Sequence, residues 1–197
     1  KANFQASDAL AELDKKGNKN VSLAEFKKSA PSNPMFPWKG YSGFRLADPK
    51  GNKEGEFDLV IITHCNVLII ELKDWNNNKI TSSNNRWYLG SKDMGKSPVS
   101  ITRDKQYLID RILKRYKNRF TNKVRTPIIH FLVVMTGNAD YSKLDDNEKI
   151  HTLSLKEFLQ LKDEKKFNDR FRPHPDAKVL NKDFAIFDEV FGGSNIK

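Results

Sequence analysis

The sequence predicts an α/β fold, and three observations carry the prediction. Two short β-branched runs, residues 57–62 and 67–73, follow one another across a short link. A long amphipathic stretch comes next, over residues 99–120. A third apolar run, residues 128–135, then reads as another buried strand. Strands interleaved with a helix define the class. At 197 residues the chain is long enough for one sizeable domain, or one domain with a small appendage.

The elements are justified in chain order. Residues 1–38 read as an N-terminal helical extension. Helical spacing covers residues 6–13 and 23–28, with a turn-rich run between them, and Pro31, Pro34 and Pro37 then hold the chain extended. Residues 39–191 read as the main domain. Residues 41–47 suit a first strand, closed by a turn at Pro49-Lys50-Gly51. The runs 57–62 and 67–73 are apolar on both faces, as central strands are. A link at His64-Cys65 makes them a hairpin. Residues 79–81 and 86–89 are weaker strands around an Asn-rich turn. In the long helix Leu108, Ile112, Tyr116 and Phe120 recur every four residues, beside Ile109 and Leu113. Its other face carries Arg103, Arg111, Lys114, Arg115 and Lys117. Residues 149–153 suit a short strand. Ser154-Leu155-Lys156-Glu157 is a capping-box pattern opening a helix. Residues 183–191 suit a last short helix, and residues 192–197 read as a linker or tail.

Composition narrows the function. Lys and Arg number 35 against 25 Asp and Glu, a net charge of +10 that favours a polyanionic partner. One cysteine, Cys65, excludes an internal disulfide framework and a zinc site built on several cysteines. A cytoplasmic setting is therefore expected. No run approaches the roughly 20 apolar residues of a membrane span, so no membrane partner is expected. No G-x-x-x-x-G-K-[ST] loop is present, which argues against ATP hydrolysis by this chain. The chain opens without Met or a signal pattern, so it is expected to be one module of a longer protein, with further domains C-terminal to it.

The informative residues are acids inside apolar strands, which are costly unless something pairs with them. If the hairpin is symmetric about the 64/65 link, residue i faces residue 129−i. Asp58 then faces Glu71, and Glu56 faces Lys73. Opposed Cβ atoms lie about 5 Å apart, so two ionised carboxylates would repel. A bridging divalent cation removes the conflict, and hard oxygen ligands favour Mg²⁺ or Mn²⁺. Lys73, two residues after Glu71, projects from the same face. It could hold an attacking water or a scissile phosphate. A register slip of one residue would turn Asp58 away. The other reading of these three residues is a structural salt-bridge cluster.

Asp58 followed by Glu71-Leu72-Lys73 resembles the PD-(D/E)XK nuclease superfamily. Gly55-Glu56-Phe57-Asp58-Leu59-Val60, the run 68–75, Arg86-Trp87-Tyr88 and Ser97-Pro98 resemble, more narrowly, a nuclease-related (NERD) domain over residues 36–135. The closest resemblance is to NERD domains that precede kinase or helicase modules in bacterial phage-defence proteins. The resemblance implies a restriction-endonuclease-like α-β-β-β-α-β core with a mixed sheet. It also implies Mg²⁺-dependent DNA endonuclease activity. Asp58 and Glu71 would be metal ligands with the Leu72 carbonyl as a third, and Lys73 the catalytic lysine. Two positions depart from the pattern. Ser97-Pro98 stands where Asn-Pro is usual, and Ile101 stands nearest the usual helix glutamine, leaving Lys105 or Gln106 as substitutes. For the usual glutamate on the first helix, Glu12 and Glu25 are both candidates.

Residues 14–25 resemble an EF-hand loop, but Lys16 and Lys19 replace a ligand and the turn glycine, so a calcium-free helical turn is favoured. His64, His130, His151 and His174 lack metal-ligand spacing. Trp75 and Trp87 could stack on bases, although packing is favoured. Arg103, Lys105, Arg111 and Lys114 could line a DNA groove or form a solvated helix face. Glu56 could support Lys73. The expected function is a Mg²⁺- or Mn²⁺-dependent DNA nuclease, and RNA stays open as a substrate. A homodimer is what a paired double-strand cut would need. The rival is a catalytically inert module that binds nucleic acid or protein.

Overall fold

The computed structural model describes residues 3–5, 39–48, 50–51, 53–64 and 66–192. The helices expected over residues 6–13 and 23–28, the loop 14–25, Glu12, Glu25, Pro49, Cys65 and the tail from residue 193 lie outside the described residues.

Two sheets and a set of helices make a mixed α/β architecture. The larger sheet has six strands: β1 (Asn3–Gln5), β2 (Lys39–Asp48), β3 (Lys53–Ile62), β4 (Asn66–Lys73), β8 (Ile128–Met135) and β10 (Thr152–Ser154), in that spatial order. The first four are antiparallel neighbours, and β8 and β10 join in parallel. Thus Asn3–Gln5, placed in the helical extension by sequence, adds a strand to this sheet through β2. Between β4 and β8 the chain builds a second sheet from β5 (Lys79–Ser83), β6 (Arg86–Leu89) and β7 (Lys92–Lys96), and then helix α1 (Pro98–Arg115). After β8 it adds β9 (Asp140–Lys143) to the far edge of the second sheet, in order β7-β6-β5-β9. Strands β7 and β9 were not expected from sequence.

The expected β-β-β-α-β order therefore holds through β2, β3, β4, α1 and β8. β3 and β4 are the interior strands their composition requires. Val60, Ile62, Val67 and Ile69 point to one face, where α1 packs through Leu108, Ile109, Ile112 and Leu113. Leu59, Ile61, Leu68 and Ile70 point to the other. That second face is covered by α3 (Leu155–Gln160) and α4 (Glu164–Arg170), which follow the one-turn helix α2 (Asp146–Lys149) and β10. The strand expected over residues 149–153 is thus shifted to Thr152–Ser154, because the segment before it closes a helical turn instead.

Local chemistry fixes the ends of these elements. Asn84 and Asn85 both take positive φ, 49° and 61°, in the two-residue turn joining β5 to β6; such turns favour Asn and Gly. Ser97 caps α1, accepting from the Ser100 N–H at 3.2 Å. Ser154 and Glu157 form the expected capping box on α3. The C-terminal segment, α5 (Phe184–Phe187) running into a wider turn over Asp188–Gly192, returns to the α1 face. Asp188 ties it to β2 by accepting from Lys39 and the Tyr41 hydroxyl. Among the described residues no helix is long and apolar enough to cross a membrane.

Candidate active site

Strands β3 and β4 pair with the register Leu59↔Ile70, Val60↔Ile69, Ile61↔Leu68 and Ile62↔Val67. Every pair sums to 129, as the symmetric hairpin requires. Continued by one step, this register would set Asp58 opposite Glu71, on the face where α1 packs. There the backbone ladder ends. In its place the Asp58 side chain accepts a hydrogen bond from the Leu72 N–H at 2.8 Å. A side chain thus replaces a ladder partner at the point where the two strands part. In an extended strand the N–H and C=O of one residue point to the same side, so the Leu72 carbonyl is directed toward the Asp58 edge as well.

Glu71 lies only 7% exposed. Its Oε1 accepts from Lys73 Nζ at 2.7 Å, and its Oε2 accepts from Lys105 Nζ. Lys105 comes from α1, is 9% exposed, and also lies over the Phe57 ring at 5.6 Å. Burial alone would raise the Glu71 carboxyl's pKa. The charges of Lys105 and then Lys73 outweigh it and hold the group below the usual carboxylate range. The site therefore brings two carboxylates and two ammonium groups together between the parted strands and the helix. Glu71, Lys73 and Lys105 are joined by ion pairs, and Asp58 is tied to the same strand through the Leu72 N–H.

Lys105 and Gln106 were alternatives in sequence. The structure separates them. Lys105 enters the site, whereas Gln106 donates to the Ile129 carbonyl at 2.6 Å on the far side of β8. The signal that separates them was present. Lys105 lies three residues before Leu108, four before Ile109 and seven before Ile112, so it belongs to the buried stripe. A lysine on that stripe is what needed a partner.

The remaining sequence candidates fall elsewhere. Glu56 is exposed, and its β2 neighbour in register is Arg45. Trp75 is half-buried and meets Trp87 edge-on at 5.9 Å, which is the packing reading. Arg111 lies 3.6 Å from Asp48 in an ion pair, and Lys114 pairs with Asp110 one turn back on α1. Arg103 is exposed and lies over Phe131 at 5.8 Å. The buried Asp48 was not singled out in sequence. It holds the β2–β3 turn by accepting from the Lys50 N–H at 3.1 Å, and it ties that turn to α1 through Arg115 and Arg111.

A divalent cation is tested against these groups by their donor chemistry. Among the described residues no cluster of three or more His, Cys, Asp or Glu side chains could hold a metal. Mg²⁺, however, is commonly held by one or two carboxylates, with waters and phosphate oxygens completing the shell. Two facing carboxylates and a nearby carbonyl fit that pattern, with Glu71 available once its lysines turn away.

A family model described as nuclease-related domain matches residues 14–136. The matched span includes Asp58, Glu71, Lys73 and Lys105. No curated protein and no solved structure matches.

Proposed function

Because the chain belongs to the nuclease-related domain family, we propose that it hydrolyses phosphodiester bonds in DNA with a Mg²⁺ or Mn²⁺ ion held at Asp58 and Glu71. The observation that carries this reading is the Glu71 carboxylate held between Lys73 and Lys105, with Asp58 on the neighbouring Leu72 N–H where β3 and β4 part. When bound, the ion supplies acidification of a water and neutralisation of charge on the phosphate. Asp58 and Glu71 would hold it, with the Leu72 carbonyl beside them. Lys73 orients the attacking water or donates to the pentavalent phosphorus oxygens. Lys105 takes the place of the helix glutamine. It offers its ammonium to a phosphate oxygen while Glu71 is engaged elsewhere. The net charge of +10 would hold flanking phosphates, making affinity fall with salt. This reading places the reaction in the bacterial cytoplasm, in DNA processing or phage defence.

The test is incubation of plasmid and linear DNA with Mg²⁺ or Mn²⁺, comparing the chain with Asp58→Asn. Ion-dependent cutting that disappears in the variant is the expected result. Cutting that persists in Asp58→Asn, or that needs no ion, overturns the assignment.

One observation favours the inert binding module as the second reading. Both Glu71 oxygens are held by lysines. Competition for that carboxylate makes a separate prediction. Lys105→Met frees Oε2, and Mn²⁺ affinity measured by calorimetry without DNA is expected to rise about tenfold, equivalent to losing one partly screened charge contact of ~1.4 kcal/mol. An unchanged affinity means that Glu71 is not an ion ligand.

A further inference from the structure

A second concave site, lined from α1 by Gln106 and not by Lys105, lies at the outer edge of β8. Strand β10 pairs only with Val133, Val134 and Met135. Ahead of that pairing β8 borders a cavity of about 340 Å³, lined by Gln106, His130, Phe131, His151, Arg170 and Phe171, among others. It shares none of Asp58, Glu71, Lys73 or Lys105.

Four features describe its chemistry. First, the strand edge is closed to a peptide. Gln106 donates to the Ile129 carbonyl, and the Val133 N–H donates to the His151 carbonyl at 2.8 Å. A docking strand would need those groups. Second, the walls are aromatic. His151 stacks on Phe131 at 4.3 Å and 19°, and His130 meets Phe171 at 4.8 Å. Third, the buried His130 Nε2 has no hydrogen-bond partner. Burial pushes its imidazole down to about 4, so the ring is neutral at ordinary pH. Its Nε2 is closed off from solvent, so what the ring offers a ligand is an uncharged aromatic surface. Fourth, two guanidinium groups flank the aromatic walls. Arg103 lies over Phe131 and Arg170 lies over Phe171, 5.8 and 5.7 Å from the ring centres. Among the described residues neither has a carboxylate within ion-pair distance. Arg170 lines the cavity, where it donates to the Ile150 carbonyl at 2.7 Å, and Arg103 stands at the rim, beyond Phe131.

We propose that this cavity binds one nucleotide, with its phosphate at Arg170, Arg103 assisting from the rim, and its base or sugar against His130 and Phe171. The size is consistent with that, being at the lower end of small-molecule sites. Arginine is suited to phosphate because its planar fork binds two oxygens at once, and aromatic faces accept any base. The same chemistry could come from a free mononucleotide or from the 5′-phosphorylated end of a strand. The site is independent of cleavage at Asp58.

The experiment is calorimetric titration of the whole chain in EDTA with AMP, adenosine, inorganic phosphate and a 5′-phosphorylated tetranucleotide. AMP is expected to bind at least tenfold more tightly than adenosine or phosphate. Arg170→Gln is expected to weaken AMP at least tenfold. If that variant loses its thermal transition, exposed Arg103→Gln serves instead, with a loss of at least threefold. Asp58→Asn is expected to bind AMP as the unaltered chain does. A tetranucleotide tighter than AMP assigns the site to strand ends, and equal or weaker binding assigns it to free nucleotides. No binding at millimolar AMP, phosphate binding as tightly as AMP, or arginine variants that bind normally would each overturn the proposal.

Discussion

Glu71→Gln is expected to reduce ion-dependent DNA cleavage about a thousandfold and to destabilise the fold at the same time. The first effect follows from removing a charged ligand. Several kcal/mol of transition-state stabilisation reside in such an ion, and each 1.4 kcal/mol or so is tenfold in rate. The second follows from burial. Glu71 is the shared partner of Lys73 and Lys105. With a neutral amide the two ammonium groups keep their positions and lose their counter-charge. Removing one member of a buried ionic cluster costs about 3–5 kcal/mol. Because the Lys73 side chain is 24% exposed, about 2–3 kcal/mol is expected here, read as a lower urea midpoint. A pH series separates this from a general packing loss. The folded Glu71 carboxyl lies below its unfolded value of about 4.3. Its contribution is therefore present above that pH and disappears as pH falls through the folded value. The Gln variant should lose stability less steeply on acidification in that window. If cleavage survives in Glu71→Gln, the ion is held elsewhere.

Trp87→Ala is expected to have the largest effect on stability. Trp87 is fully buried, with 0% exposure, at the junction of the second sheet and the α1 face. Its ring meets Trp75, and its indole N–H donates to Glu148, which also accepts from the Ser97 hydroxyl at the start of α1. Truncation opens a cavity under three elements at once, for about 3–5 kcal/mol. A domain with 5–15 kcal/mol in total is then close to its unfolding threshold at room temperature. Trp87→Phe keeps most of the volume and loses the donor, so about 1–2 kcal/mol is expected. Equal midpoints for the two variants in urea would show that the indole volume is not what holds this junction together.

The central hairpin was legible because its physics is local. A short link and two apolar runs of similar length leave one symmetric register, which the pairs from Leu59↔Ile70 to Ile62↔Val67 follow. The second sheet was half legible. Lys79–Ser83 and Arg86–Leu89 announce themselves through Ile80, Trp87 and the asparagine turn. Lys92–Lys96 and Asp140–Lys143 do not, because they are short, exposed edge strands whose polar residues avoid further pairing. The basic helix face was misleading as a count of free cations. Arg111, Arg115 and Lys114 already face Asp48 or Asp110, and only tertiary structure reveals which acids reach them. Histidine spacing along the chain carries no trace of the grouping of His130 and His151 around one cavity. They come from β8 and the residue just before β10, neighbours in space across a loop.

The bond from the Leu72 amide to Asp58 has a practical consequence for spectroscopy. That amide proton hangs on a carboxylate, not on a neighbouring strand, so its resonance position and its rate of exchange with solvent deuterium report the electron density on one side chain. Any cation drawn to Asp58 competes for that density. A single peak in a nitrogen-correlated spectrum therefore serves as an occupancy gauge for the whole centre, legible with no nucleic acid in the tube and no turnover to wait for.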